Sequence, residues 1–155
     1  MALLNLKNKK IVISGGASGI GWAITKTCIS KGALVYLCDI DRKSLNKVKK
    51  HPLHNKRIFI SEIDASNEIE VIDFFHLIKK KFKKLDALIN NVGIAGPTGS
   101  LDKLKSKDWE NTLHVDVNSH FYFTKSAIPL IKKSKNGSIV NISSTAGILG
   151  FPLRS

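Results

Sequence analysis

The sequence is short of several things, and each shortage narrows what it can be. Two cysteines, Cys28 and Cys38, are too few for a disulfide framework, and neither stands in a metal-ligand spacing, so no metal is expected. No apolar run approaches the length needed to span a bilayer, and residues 1–7 are too short an apolar start for a signal peptide. Arginine, the usual reader of base edges, occurs three times beside 22 lysines. Acidic residues number 12 against 25 basic ones, a net charge of +13 that would suit a polyanionic partner. The lysines are scattered, however, and their densest run, Lys79-Lys80-Lys81-Phe82-Lys83-Lys84, closes an expected helix, where cations meet the negative end of the dipole. These shortages favour no membrane, no nucleic acid and a reducing, cytoplasmic setting. A basic nucleic-acid-associated protein stays as an alternative, marked by steeply salt-dependent binding. There is no internal repeat and no low-complexity linker. With 43% hydrophobic and 24% charged residues, the 155-residue chain has the composition of one globular domain with its own core.

What is present centres on Ile11-Val12-Ile13-Ser14-Gly15-Gly16-Ala17-Ser18-Gly19-Ile20-Gly21. A β-branched run leads straight into a glycine turn and then into an amphipathic segment. Strand, glycine turn, helix is the setting in which backbone N–H groups and a helix dipole receive a pyrophosphate. Gly15 allows the sharp turn, and Gly19 and Gly21 leave room for a ligand and a neighbouring strand. The spacing is Gly-x-x-x-Gly-x-Gly rather than the commoner Gly-x-Gly-x-x-Gly.

Strand and helix patterns then alternate. Strands are predicted at 10–14, 33–38, 57–61, 87–89 and 138–142. Helices are predicted at 19–31, closed by Gly32, at 41–50, at 68–83 and from 106 to about 132. Ser66 and Ser106 are read as N-caps, and Ile69, Ile72, Phe75 and Ile78 as the apolar stripe of the third helix. Near-continuous apolar strands separated by helices predict an α/β fold, a Rossmann-like doubly wound parallel sheet of about five strands with helices on both faces. The polar residues fall at strand ends, where such sheets bind ligands: the glycine loop, Asp39, Asp64-Ala65, Asn90-Asn91 and Ser143-Ser144. Asp39 can accept hydrogen bonds from ribose hydroxyls and would repel a 2′-phosphate; Arg42 and Lys43 just beyond it keep NADP open beside NAD. Asp64 can accept from an adenine amino group. His114 and His120 are read as surface or partly buried residues, and Trp22 and Trp109 as packing residues.

In this order the motifs resemble the short-chain dehydrogenase/reductase family. Ser14-Gly15-Gly16-Ala17-Ser18-Gly19-Ile20-Gly21 is similar to its Thr-Gly-x-x-x-Gly-x-Gly cofactor loop, and Asn90-Asn91-Val92-Gly93 to its Asn-Asn-Ala-Gly. Asp116-Val117-Asn118 resembles the helix that carries the family's asparagine, although Phe121 stands where members usually have glycine. Gly137-Ser138-Ile139-Val140-Asn141-Ile142-Ser143-Ser144 resembles the strand leading to its catalytic serine. The resemblance implies an oxidoreductase moving a hydride between NAD or NADP and a secondary alcohol or ketone, a small-molecule substrate, and a homo-oligomer in full-length form. It implies Ser144 and Asn118 as catalytic residues, Ser144 at the substrate oxygen and Asn118 holding a water. Ser14, Gly15, Ser18, Gly19, Ile20, Gly21, Asp39, Asp64, Ala65, Asn91 and Gly93 are implied at the cofactor. Asn90 reads as a scaffold tie between strands.

One family element has no counterpart. Its acid/base tyrosine, with a lysine four positions on, is expected roughly thirteen residues after the serine, beyond Ser155. Tyr36 and Tyr122 cannot stand in for it. The expectation is therefore a single dinucleotide-binding domain over 1–155 whose carboxyl-terminal part is missing, an amino-terminal fragment inactive by itself. A non-catalytic dinucleotide-binding module or degenerate pseudoenzyme is the alternative.

Overall fold

The structure is a computed structural model that describes residues 5–150, 152 and 153; the apolar start at 1–4 lies outside them. The β-branched runs form β1 (Lys10–Ser14), β2 (Leu34–Asp39), β3 (Ile58–Glu62), β4 (Ala87–Asn90) and β5 (Ser138–Asn141). They make one sheet in the order β3-β2-β1-β4-β5, with every pairing parallel. Parallel neighbours need crossovers. These are α1 (Gly19–Ser30), α2 (Arg42–Lys49), α3 (Glu68–Lys81) and, between β4 and β5, α4 (Ser106–Leu113) with α5 (Ser119–Ile131). The chain starts mid-sheet, winds outward to β3, then returns to lay β4 on the other side of β1. The carboxyl ends of β1 and β4 therefore flank the point where the winding reverses, which is where such sheets open a crevice.

Alternation along each strand divides the core in two. Ile11, Ile13, Val35, Leu37 and Ile58 face Cys28 and Ile29 of α1 and Leu45 and Val48 of α2. Val12, Tyr36, Phe59 and Leu88 face Val71, Phe74, Phe75 and Ile78 of α3 and Phe123, Ala127 and Leu130 of α5. The second layer is aromatic: Tyr36 and Phe74 meet edge to face at 5.2 Å, and Phe74 meets Phe123 at 5.8 Å. This is the doubly wound sheet expected from the alternating pattern. β5 forms one edge of the sheet, with all four of its residues exposed.

Several local expectations need correction. In α3, Ile69 and Ile72 are 71% and 40% exposed, and the buried stripe runs through Val71, Phe74, Phe75 and Ile78. Phe75 and Ile78 fit either stripe, and the one with two phenylalanines sets both rings against Phe123 of α5. The cap of α3 is Asn67 rather than Ser66. Asn67 Oδ1 accepts from Ile69 N at 3.1 Å and Glu70 N at 3.4 Å, while the Ser66 hydroxyl donates to Asp64 Oδ1 at 2.7 Å. Asn67→Ala should cost about 1 kcal/mol of stability, a fall of roughly 2–4 °C in the melting temperature of the chain. Ser106 is the first residue of α4 and not its cap, a position held by Lys105 without a side-chain bond. The long helix is also interrupted: residues His114–Asn118 form a π segment between α4 and α5.

At the amino-terminal rim of the sheet, Asp86 gathers four groups from three segments. Its Oδ2 accepts from Lys10 N at 2.9 Å and its Oδ1 from Ser134 Oγ at 2.7 Å. Lys9 Nζ and Lys84 Nζ lie 3.6 and 3.7 Å from Oδ1. The residue is only 5% exposed. Burial works against its charge, but the hydrogen bonds from Lys10 N–H and Ser134 and the two ammonium groups outweigh it, and the carboxyl is held below its usual range.

Candidate functional site

The opposite rim collects the polar strand ends. β1 stops at Ser14, and Gly15 turns the chain at φ +61°. Gly19, at φ +49°, opens α1 with nothing within 4 Å of where a Cβ would stand. Ser18 occupies the N-cap position without a side-chain cap bond, so the first N–H groups of α1 keep their donors toward the crevice. Gly21 is a packing glycine: a Cβ there would lie 2.0 Å from Gly15 O and 2.6 Å from Asn91 Nδ2.

Hydrogen bonds sew this loop to its neighbours. Ser14 Oγ accepts from Asn91 N at 3.0 Å and Val92 N at 3.3 Å. Asn91 Nδ2 donates to Gly15 O at 2.9 Å and Ser14 O at 3.3 Å. From the β2 side, Asp39 Oδ2 accepts from Ala17 N and Oδ1 from Asp41 N, both at 3.0 Å. Each carboxylate oxygen has two lone pairs, so two acceptor positions remain for a ligand. Asp64 Oδ1 accepts from Ser66 N at 2.9 Å and from the Ser66 hydroxyl.

Gly15, Ser18, Gly19, Ile20, Asp39, Asp64, Ala65, Asn91 and Gly93 all line one cavity of about 540 Å³ at the switch point. Ser14 and Gly21 do not line it; they are buried behind it and set its shape. Ser144 and Asn118 lie outside its lining. Ser144 follows β5, exposed, with its Oγ accepting from Ala146 N at 3.2 Å. Asn118 turns its Nδ2 to His114 Nδ1 at 3.0 Å. Two residues earlier, Asp116 Oδ1 accepts from Ile94 N at 2.8 Å and so holds the loop after β4. His120 Nε2 holds the same loop at Val92 O, 3.0 Å away. Asn90 Nδ2 donates to Asn141 Oδ1 at 2.8 Å and Thr124 Oγ1 at 3.1 Å, tying β4 to β5 and α5.

Sequence reasoning missed Asp116 and the apolar walls. Ile40, Ile63, Ile94 and Val115 line the cavity, and so does Cys38. Isoleucines directly after strand ends, Ile40 after β2 and Ile63 after β3, were the available signal; Ile40 is 66% exposed, a poor arrangement for water and a good one for a flat ring. Burial pushes the Cys38 thiol well above its ordinary range, so it stays protonated and is no nucleophile. Beyond the rim, Arg42 Nε donates to both oxygens of Glu62, at 3.1 and 3.0 Å. Among the described residues no three His, Cys, Asp or Glu side chains meet as a metal site. None of the described helices is long and apolar enough to cross a membrane.

A sequence model of the family described as short chain dehydrogenase matches residues 9–155. A dehydrogenase/reductase of CLA biosynthesis from Lactiplantibacillus plantarum is 33% identical over 150 residues, 96% of this chain and 52% of that protein. Meso-2,3-butanediol dehydrogenase from Serratia marcescens is 31% identical over 147 residues, 95% of this chain and 57% of that protein. A solved structure of NAD+-bound xylitol dehydrogenase superposes with a TM-score of 0.90 at 25% identity, covering 97% of this chain and 58% of the other. The chain thus spans little more than half the length of these relatives.

Proposed function

The chain belongs to the short-chain dehydrogenase family, and from that premise we propose that residues 1–155 form one dinucleotide-binding domain of an oxidoreductase using NAD or NADP on a small alcohol or carbonyl substrate. The observation that carries this reading is the convergence of four strand ends, a donor-rich helix start and Asp39 on a single cavity. The residues present fit the cofactor. Gly19 leaves open space where a phosphate would meet the α1 N–H groups. Asp39 has acceptor positions left for ribose hydroxyls. Ile40 and Ile63 supply apolar walls for an adenine beside Asp64 and Ala65. When bound, the dinucleotide supplies hydride donation or acceptance. The chain's own part is to orient it: Asn91 fixes the glycine loop, and Asp116 and His120 fix the β4 loop around the far end of the cavity. Ser144, exposed on the same rim, is the residue to hydrogen-bond a substrate oxygen and steady the charge that develops there.

The family's helix asparagine is better matched by Asp116 than by Asn118, because Asp116 is the side chain that reaches the β4 loop. The small residue expected three positions later then becomes Ser119, 1% exposed, rather than Phe121, 57% exposed. A carboxylate at this place accepts the Ile94 N–H as an amide oxygen would, but cannot donate in return while ionised.

Titration of the full chain with NADH, followed by nicotinamide fluorescence, tests the reading. Asp39→Asn keeps one acceptor oxygen and removes the charge, and should weaken NADH binding about tenfold, one charge-assisted hydrogen bond's worth. A wild-type chain that takes up neither NADH nor NADPH would overturn the proposal. A second reading, nucleotide binding without turnover, has one observation behind it: neither tyrosine lines the cavity, Tyr36 being buried against Phe74 and Tyr122 lying beside His114. Oxidation of NADH with a ketone by the full chain separates the two.

A further inference from the structure

Two carboxylates and one guanidinium stand together where β2 and β3 end. Asp39 and Glu62 are register partners on adjacent strands, the last residues of each. Arg42 opens α2 three residues after Asp39, with Asp41 as the cap that starts the helix there. Ile40, next to Asp39, and Ile63, next to Glu62, line the cavity at the edge assigned above to the adenosine. Arg42 directs its Nε into the fork of the Glu62 carboxylate, 3.1 and 3.0 Å from its two oxygens. Both side chains are solvent-exposed.

An exposed pair of this kind adds little to stability, so its consequence lies in what it does to Arg42. A guanidinium fork fits a carboxylate and a phosphate dianion equally well. The 2′-phosphate that distinguishes NADP from NAD carries most of two negative charges at neutral pH. Among the described residues Arg42 is the one arginine near this edge of the cavity, since Arg57 donates to Gly32 O at the other end of β3. With Arg42 engaged by Glu62, a 2′-phosphate arriving beside Asp39 meets carboxylate charge and an arginine already bonded elsewhere. We propose that Glu62 is a specificity-determining residue: it withholds Arg42 from the 2′-phosphate and so, acting through that arginine, sets the preference for NAD over NADP. The proposal rests on the dinucleotide reading of the cavity and adds a residue on a different strand from the aspartate that contacts the ribose.

The test is a double-mutant cycle on the full chain, with NADH and NADPH titrated separately. Glu62→Gln keeps the size and polarity of the side chain and removes its charge. It should raise the NADPH:NADH affinity ratio up to about fivefold, the worth of an exposed ion pair that no longer has to be broken, with the melting temperature unchanged. In an Arg42→Ala background the same substitution should leave the ratio within about twofold of the single Arg42→Ala chain. If Glu62→Gln leaves the ratio where it was while NADH still binds, the proposal is wrong and the dinucleotide reading stands. If the ratio rises as much without Arg42 as with it, Glu62 acts only as a repelling charge, and the proposal is again overturned. If the wild-type chain binds neither nucleotide, the reading beneath the proposal falls and takes it along.

Discussion

Gly21→Ala is expected to give a chain that melts roughly 6–12 °C lower, or fails to accumulate in folded form, and that takes up no NADH. The methyl group would stand 2.0 Å from Gly15 O and 2.6 Å from Asn91 Nδ2. The first contact is backbone in the turn that links β1 to α1, so no side-chain rotation relieves it. Either α1 moves away from β1 or the turn opens, and both displace the N–H groups at the helix start. The second contact breaks the bridge from Asn91 to Gly15 and Ser14, which joins the loops of β1 and β4. A cost of about 3 kcal/mol follows from forced overpacking of this kind. Gly19→Ala is the informative companion. Its Cβ would meet nothing within 4 Å, and the left-handed φ of +49° costs about 1–2 kcal/mol. That chain should stay folded by circular dichroism while binding NADH poorly, because the added methyl stands in the open space of the cavity. Equal melting temperatures and equal NADH affinity for Gly21→Ala and the wild type would show that the close approach of α1 to the turn is not required.

Asp86→Ala should destabilise the chain by about 3 kcal/mol, again roughly 6–12 °C in melting temperature, while leaving the affinity for NADH within twofold. The aspartate lies at the rim of the sheet away from the cavity, so its loss is a loss of fold alone. It joins β1 through Lys10 N–H, the segment before β5 through Ser134, and two lysines that are left facing one another without it. The pH dependence has a definite sign. The carboxyl is depressed in the folded chain relative to the unfolded one, so between the folded value and the unfolded value near 3.9 the unfolded state holds the extra proton. Its contribution is therefore complete above about pH 5 and is lost as pH falls through the unfolded and then the folded value. Thermal melts from pH 7 down to pH 3 should show a steep acid decline in the wild type and a shallower one in Asp86→Asn. Parallel declines would mean that other carboxylates carry the acid sensitivity.

The alternation of strands and helices was legible because its signals are local. Apolar runs such as Ile11-Val12-Ile13 are bounded by glycine, aspartate or asparagine, and Gly32, at φ +89°, ends α1 as its position implied. That polar strand ends would gather on one side followed from the parallel winding, which puts every carboxyl end on the same rim; those of β1 to β4 share the cavity, and that of β5 stands outside it. What could not be read depends on contacts between distant segments. The face of α3 is ambiguous in sequence because two stripes share Phe75 and Ile78, and only the approach of Phe123 from α5 decides between them. Ser66 and Asn67 are both good caps, and Asp64 settles the matter by engaging the serine. Asp116 and Asn118 are two polar side chains two residues apart, on nearly opposite sides of the helix, so one at most can face the β4 loop. The bond to Ile94 N–H selects Asp116. Nothing in Asp-Val-Asn by itself announces that choice.

The π segment His114–Asn118 has a consequence for how this chain tolerates changes of length. A π turn holds one residue more than an α-helix needs over the same span, and one residue is about 100° of helical rotation. Upstream of it, α4 presents Asn111 to the cavity; downstream, α5 presents Phe123, Ala127 and Leu130 to the aromatic core. The surplus residue is thus a phase adjuster, matching a helix face aimed at a ligand to one aimed at the sheet. Excising a single residue here would let the segment close as ordinary α-helix with the two faces still in phase, whereas excising one from a continuous α-helix turns everything beyond it by more than a quarter turn. A deletion of the same size in the loop from 94 to 104 would only shorten a tether. Within one crossover the chain therefore carries two stretches that can absorb the loss of one residue, one in a loop and one inside the helix.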